Sequence, residues 1–217
     1  MSDYEVKQGD WFARIVKRGG YGNVWRPIYN NADNADFRKA CVDPDLLIPG
    51  ETCVLPDKDE KEESKATGNK WKFEKAPSKA QLHVVILRAN GQPLKSKPYT
   101  LVFHGPGVEG KTISKQTDGS GAVKCEITTD VETATLTIEK QTFELLIGHL
   151  EPGTTMNGIQ ARLQNLNYGV PVIDGTAGAG SLTEAAIKAF QTNHTLKDPE
   201  GAAEKATQAK LKDIYGC

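Results

Sequence analysis

Apolar positions in residues 1–57 switch between strand-like and helix-like spacing. Tyr4-Glu5-Val6 alternates as a short strand. Phe12, Ile15 and Val16 recur at the i, i+3, i+4 spacing of one helix face, and Asp10 is the expected cap. The predicted order is a strand at 4–6, a helix ending at Gly19-Gly20, a helix from about Asn23 with Val24, Trp25 and Ile28 inward, and a strand at 52–55.

Residues 81–153 consist of short apolar runs separated by turn signals. Asn90-Gly91 and the segment 118–121 are turn sequences of the kind that joins antiparallel strands. This spacing predicts a small antiparallel β-sandwich. The predicted strands are 82–88, 99–104, 111–117, 122–128, 136–138 and 142–147.

Residues 154–217 carry helical periodicity. Ile159, Leu163 and Leu166 share one face, and a second helix begins with the capping box Ser181-Leu182-Thr183-Glu184. A third helix is predicted from about Ala203 to Tyr215, with Leu211 and Ile214 inward and Gly216 as its stop.

These patterns predict an α+β, multidomain chain. A βααβ module occupies 1–57, a charged linker 58–80, a β-sandwich 81–153 and a three-helix module 154–217. The run at 58–65 is almost wholly charged, which is typical of a solvated linker or an exposed edge.

Composition excludes several classes of function. The 217 residues carry 27 basic and 28 acidic side chains, and no module is strongly basic, so we expect no nucleic-acid partner. Apolar runs are too short to span a bilayer, so we expect no membrane insertion. The four cysteines are expected to be reduced and mostly buried, with a Cys41–Cys53 bridge as the alternative.

The first residues, 1–5, lack the basic and apolar regions of a secretory leader. We therefore expect a cytoplasmic protein before any export, unless a leader was removed and replaced by Met1. A chain of this kind would reach the periplasm or a target-cell envelope through a secretion machine.

Residues 4–56 resemble a LysM domain, a βααβ fold that binds glycans containing N-acetylglucosamine. The resemblance is carried by 4–10, Ile15, Asn30, 48–51 and 54–56. The sequence departs from that family at Trp11-Phe12 and at 31–42, an apparent insertion that borders the same groove. The resemblance implies glycan-binding residues Gly9, Asp10, Trp11, Phe12, Ile48, Pro49 and Gly50, with core packing as the alternative for Trp11.

Residues 155–216 resemble the three-helix peptidoglycan-binding domain of wall hydrolases. Segments 158–163, 166–169, 173–175 and 189–191 carry the resemblance. It implies a second set of glycan-binding residues: Tyr168, Asp174, Gly175 and Gln191. Core packing is the alternative for Tyr168.

The middle segment resembles a transthyretin-like or Ig-like sandwich through Pro98-Tyr99 and 117–121. The order of the three modules is similar to proteins found alongside the spike proteins of type VI secretion systems. Segments 25–29, 43–50 and 148–152 carry that similarity, which implies an association with a spike or an effector.

Catalytic and metal-binding patterns are missing from the sequence. The histidines His83, His104, His149 and His194 have no metal-ligand spacing, and no G-x-S-x-G nucleophile motif occurs. We expect no enzyme activity, no metal and no cofactor. Two hypotheses remain: a non-catalytic peptidoglycan-binding protein, and a structural adaptor that docks on a secretion spike or effector with little glycan binding.

Overall fold

Helices and antiparallel sheets both occur in the computed structural model, which describes residues 1–58, 64, 67–70, 78–197 and 200–216. The chain divides into two compact units. The first comprises Met1–Asp45 and Pro49–His149, and the second comprises Leu46–Ile48 and Leu150–Cys217. The architecture agrees with the expected mixed α and β class. The division into three modules stays a prediction, and most of the predicted linker at 58–80 lies outside the described residues.

The N-terminal part of the first unit places helices between two paired strands. Its elements are β1 (Ser2–Glu5), α1 (Phe12–Arg18), α2 (Trp25–Tyr29), a 3-10 helix (Ala32–Asn34), α3 (Ala35–Ala40) and β2 (Thr52–Leu55). Strands β1 and β2 pair antiparallel. The rings of Phe12, Tyr29 and Phe37 are buried together, with centroid separations of 5.0 Å for Phe12–Tyr29 and 5.8 Å for Phe12–Phe37.

Two local predictions in this part are wrong. The residue at the cap position of α1 is Trp11, whose side chain makes no capping bond, because Asp10 turns back to the preceding loop. Val24 is 51% exposed, while Ile28 is buried as expected. Helix α2 is only one and a half turns long and therefore buries a narrow face.

The apparent insertion at 31–42 folds onto the paired strands through Asn34. This side chain is fully buried, and its Nδ2 donates to the carbonyls of Ile28 and Val54 at 2.9 Å each. Its Oδ1 accepts from the Val54 N–H at 2.7 Å. One amide therefore satisfies both backbone groups of Val54 on β2 and fixes the insertion there.

Two further sheets complete the first unit. The strands are β3 (Lys79–Val85), β4 (Pro98–His104), β5 (Thr112–Gln116), β6 (Ala122–Thr128), β7 (Thr133–Ile138) and β8 (Gln141–Leu146). One sheet pairs β3 with β6, and the other has the order β5-β4-β7-β8. Alternating residues of both sheets, such as Leu82, Val123, Leu101 and Leu136, share one hydrophobic core. This packing is the expected result of period-two apolar patterning.

Arg14 connects helix α1 to the loop that follows β6. Its guanidinium is buried, and it donates through Nε to the Thr129 carbonyl at 3.0 Å and through the other nitrogens to the carbonyls of Gly9 and Val131. Burial lowers the pKa of Arg14 to about 10. Beside it, Lys17 pairs with Asp130. The N-terminal helix and the sheet region are therefore parts of one unit.

Among its described residues, the second unit contains the helices α4 (Met156–Asn165), α5 (Leu182–Asn193) and α6 (Lys205–Tyr215). Their core contains Ile159, Leu163, Ile187, Phe190 and Leu211. Ala186 and Val170 are also buried in it.

Three predictions concern the ends of α5 and α6: the capping box at 181–184, the stop at Gly216 and the burial of Ile214. Ser181 accepts from the Glu184 N–H at 3.1 Å, as a capping box requires. The Glu184 carboxylate, however, accepts from the N–H of Gly180. Gly216 is left-handed and ends α6 as expected, but Ile214 is 41% exposed, which overturns its assignment to the core.

Two of the cysteines are buried free thiols. Burial raises the pKa of Cys53 to about 12, and it also raises the pKa of Cys125. Because Cys53 is free, the alternative of a bridge to Cys41 is not realised.

Replacing Arg14 by leucine is expected to destabilise the first unit by about 3–5 kcal/mol, because each buried acceptor left unsatisfied costs about 1–3 kcal/mol. All three tryptophans of the chain precede residue 149, so urea unfolding followed by tryptophan fluorescence reports on this unit. Arg18→Leu is the matched control on the same helix. Arg18 is 50% exposed and pairs with Glu132 at 2.8 Å and, at 3.4 Å, with the buried Asp10, so its loss should cost clearly less than the loss of Arg14. Equal effects of the two variants would contradict the role assigned to Arg14.

Candidate functional site

The first predicted site begins at Asp10, which the structure places in the interior. Its carboxylate accepts from the Tyr4 hydroxyl and from the Lys7 N–H, both at 2.9 Å, and lies 3.4 Å from Arg18. Burial and the hydrogen bond to Asp10 raise the pKa of Tyr4 to about 12. Asp10 therefore stabilises the turn between β1 and α1.

Trp11 is 4% exposed and lies beneath Arg14, whose guanidinium is 3.7 Å from the centre of the indole ring. Gly148 packs so closely that a Cβ there would come within 2.6 Å of both Trp11 Cε3 and the Gly9 carbonyl oxygen. Gln8 donates to the His149 carbonyl at 2.9 Å. The loop that would contact a sugar is thus covered by 148–149.

The other residues that the LysM resemblance implied as glycan-binding differ in solvent exposure. Phe12 is fully buried, Ile48 and Pro49 are half-buried, and Gly50 is exposed. Core packing, the alternative that the sequence left open for Trp11, is the arrangement observed. A saccharide-binding role for this set stays a prediction.

The second predicted site is organised by a residue that the sequence did not single out as functional. Gln160 on α4 is fully buried, and its Nε2 donates to Asp174 Oδ1 at 2.8 Å, to the Thr176 carbonyl at 2.9 Å and to Thr183 Oγ1 at 3.0 Å. Its Oε1 accepts from the N–H groups of Asp174 and Gly175 at 3.0 and 2.9 Å. One side-chain amide therefore fixes the loop at 174–176.

Asp174 is an exposed carboxylate in a fixed position. Oδ1 accepts from Gln160 and from both the N–H and the hydroxyl of Thr176, the last two at 2.9 Å. These hydrogen bonds, the one from Gln160 first, lower the pKa of Asp174. The carboxylate is thus held ionised at the surface with Oδ2 directed away from these three bonds. Gly175, next to it, is also exposed.

Two apolar side chains precede this carboxylate and are open to solvent. Val172 is 60% exposed and Ile173 is 45% exposed. An acidic acceptor beside small apolar surfaces is a suitable combination for a sugar, which has hydroxyl edges and apolar ring faces. We call residues 172–176 the Asp174 loop.

The remaining predicted residues lie inside the second unit. Gln191 is buried and donates to the Ala202 carbonyl at 2.8 Å and to Thr207 Oγ1 at 2.9 Å. Tyr168 is half-buried, with its ring 5.4 Å from that of Phe190. The structure thus brings Asp174 and Gly175 together at the surface. Gln191 and Tyr168 do not join them there. Gln160 was detectable in principle as a polar residue on the apolar face of α4.

The described residues form neither a metal-binding cluster nor a membrane-spanning helix. Within the described part of the chain, no group of three or more His, Cys, Asp or Glu side chains is arranged to hold a metal ion. No helix among those same residues is both long and apolar enough to cross a membrane.

Comparison with known proteins gives one match. Residues 153–211 match the family model described as a putative peptidoglycan binding domain. The matched segment contains α4, α5 and the Asp174 loop, and it ends within α6. Searches of curated proteins and of solved structures gave no match. The chain therefore carries a domain of the peptidoglycan-binding type, which supports peptidoglycan as a partner in general terms.

Replacing Gln160 by methionine should release the Asp174 loop and destabilise the second unit by about 2–4 kcal/mol, because buried amide partners are left unsatisfied. Hydrogen exchange measured by NMR should show faster exchange of the Asp174 and Gly175 amides. Gln164→Met is the matched control, since Gln164 lies on the same helix, is exposed and makes one bond, to the Val170 carbonyl at 3.1 Å. Unchanged exchange in the Gln160 variant would show that the loop is held by other contacts.

Proposed function

We propose that this protein is a non-catalytic peptidoglycan-binding protein that binds wall glycans through its C-terminal unit. The match of 153–211 to a peptidoglycan-binding domain supports the general assignment. The finer assignment, that the Asp174 loop is the contact surface, is argued from its geometry.

The observation that carries this assignment is the hydrogen bonding of the Asp174 loop by Gln160. A loop that is already ordered loses little conformational entropy when a ligand binds, so more of the contact energy appears as affinity. Asp174 would accept hydrogen bonds from sugar hydroxyl or acetamido N–H groups, and Val172 and Ile173 would cover an apolar ring face. Binding of this kind needs no reacting group.

Sedimentation with purified peptidoglycan sacculi tests the proposal. Asp174→Asn keeps an oxygen for the bonds from Gln160 and Thr176 but removes the charge. We expect about tenfold weaker retention, because hydrogen bonds to a charged group contribute about 1.5–3 kcal/mol.

The matched control is Asp213→Asn on α6. Asp213 has a side chain 69% exposed and pairs with Lys210 at 2.8 Å, in the same unit but outside the Asp174 loop. The Asp213 variant should be retained on the sacculi to the same extent as the original protein. Equal retention of the Asp174 and Asp213 variants, both folded by circular dichroism, would remove the Asp174 loop from the binding surface. Failure of the original protein to sediment would reject peptidoglycan binding itself.

An adaptor role is the second candidate, and the covered N-terminal loop favours it. Asp10, Trp11 and Phe12 are buried, so the LysM-like part offers few of its predicted sugar contacts to solvent. Its exposed apolar residues lie elsewhere, with Val24 51% and Val42 77% exposed. Such a surface suits a protein partner, which we propose to be a spike or effector of a type VI or related contractile machine. The route from the cytoplasm to the envelope would then be that machine.

Co-purification with a coexpressed spike protein tests this role. Val42→Asp places a charge on the exposed apolar surface and should abolish co-purification while leaving sedimentation with sacculi unchanged. Lys39→Gln on the neighbouring α3, which changes the charge by the same one unit, is the control for a change of charge alone. Co-purification of the Val42 variant at the original level would exclude this surface as the docking site.

A further inference from the structure

The outer face of the four-stranded sheet carries a row of hydroxyl groups across all its strands. Thr100 on β4 is paired with Ser114 on β5 and with Thr137 on β7, and Thr137 is paired with Thr142 on β8. Directly paired residues point to the same face, so these four side chains form one line. Three of them, Ser114, Thr137 and Thr142, are exposed, and Thr100 is half-buried. We call this line the hydroxyl row.

Neighbouring hydroxyl groups of the hydroxyl row lie within hydrogen-bonding distance of each other. Thr100 Oγ1 lies 3.3 Å from Ser114 Oγ, and Thr137 Oγ1 lies 3.5 Å from Thr142 Oγ1. With strands about 4.8 Å apart, the row spans about 15 Å. The next row along the strands adds Thr112 and Thr135. Each hydroxyl both donates and accepts, as sugar hydroxyls do.

One end of this face has an excess of positive charge. An open depression of about 500 Å³ lies there, lined by Thr100, Ser114, Gln116, Thr137 and Glu139 among others. Glu139 is shared by two cations, with Lys97 at 2.6 Å and Arg88 at 3.9 Å. These ion pairs, with Lys97 first, lower the pKa of Glu139, and exposed Lys140 follows it in the chain. The surroundings of the depression therefore complement an anionic group.

The geometry points to a second saccharide-binding surface on this sheet, whose ligand is a glycan strand that bears carboxylates. The hydroxyl row exchanges hydrogen bonds with sugar hydroxyls, and the cations at its end attract the carboxylates of an acidic sugar. The strand residues of this face also include Val102, Glu144 and the exposed Leu146, but none of them is Phe, Tyr or Trp. The face is therefore a poor fit for a protein partner, whose binding energy concentrates in aromatic anchors. The inference concerns a different unit from the Asp174 loop and does not depend on it.

A second weak surface on the same chain would increase retention on a polymer. Once one surface is bound, the other meets its ligand at a high effective concentration, provided that the wall offers both within reach. Peptidoglycan glycan strands supply the required chemistry where the stem peptide has been removed, since every second sugar, N-acetylmuramic acid, then carries a free lactyl carboxylate.

NMR titration of the isotope-labelled full chain tests the inference. The probe is a soluble oligosaccharide of alternating N-acetylglucosamine and N-acetylmuramic acid with its carboxylates free. We expect shifts in the amides of Thr100, Ser114 and Thr137. The double variant Thr100→Val/Thr137→Val keeps the shape and strand preference of both side chains and should weaken the sheet-located binding about tenfold.

The matched control is Thr52→Val. Thr52 is an exposed threonine on β2, in the two-stranded sheet formed with β1, and its replacement should leave binding unchanged. Oligomers of uncharged N-acetylglucosamine of equal length should bind more weakly at the sheet, because they lack the carboxylates. Shifts confined to 172–176 would overturn this inference and leave the proposed function intact. Shifts confined to the sheet would support it and reject the Asp174 loop. Wild-type affinity of the double variant would also overturn it.

Discussion

Arg14 is the residue on which the organisation of the first unit depends. A guanidinium has five N–H donors in a rigid plane, and here that plane serves three carbonyls from two distant parts of the chain. The cost of burying its charge is offset by these bonds and by the indole ring of Trp11 beneath it. Once Arg14 is in place, the loop at 129–131 is held against α1. Trp11 is then enclosed between Arg14 and Gly148, which removes it from solvent.

The same principle operates in the second unit with an uncharged group. Gln160 on α4 and Gln191 on α5 are both buried, and each binds the backbone of the loop that follows its helix. A side-chain amide has two donors and an acceptor, so it can replace the pairing that a short irregular loop lacks. The outcome differs between the two: Gln160 presents a carboxylate to solvent, whereas Gln191 fixes the chain at Gly201 in the interior. The same type of contact thus fixes an exposed loop in one case and a buried one in the other.

Local patterns predicted much of the fold. Strand β2, strand β6 and the end of α6 at Gly216 occur where alternation and helix-stop chemistry placed them. Errors arose where a partner distant in sequence decides the outcome. Asp10 was predicted as a helix cap, but its carboxylate accepts hydrogen bonds from the Tyr4 hydroxyl and the Lys7 N–H instead. Ile214 fits an apolar helical period but lies at the edge of a core that three short helices already fill.

The candidate sites show the same limit. Asp174 was selected through the resemblance of 155–216 to the peptidoglycan-binding domain, and the structure places it at the surface. Gln160 could be noticed as a polar residue on the apolar face of α4, but its role could not be predicted, because its partners in the loop at 174–176 are known only from the fold. The hydroxyl row required strand register as well, since Ser114, Thr100, Thr137 and Thr142 come from four separate strands.

Burial of the thiols has a consequence for the compartments in which this protein can remain chemically unchanged. Disulfide exchange and oxidation require the thiolate, and a pKa of about 12 leaves almost none of Cys53 in that form at neutral pH. Cys125 is buried in the sheet core with its pKa also raised. Both sulfurs are therefore less reactive toward oxidants and disulfides than exposed thiols are. Cys53 and Cys125 can therefore keep their non-covalent contacts more readily than exposed thiols when the redox environment changes.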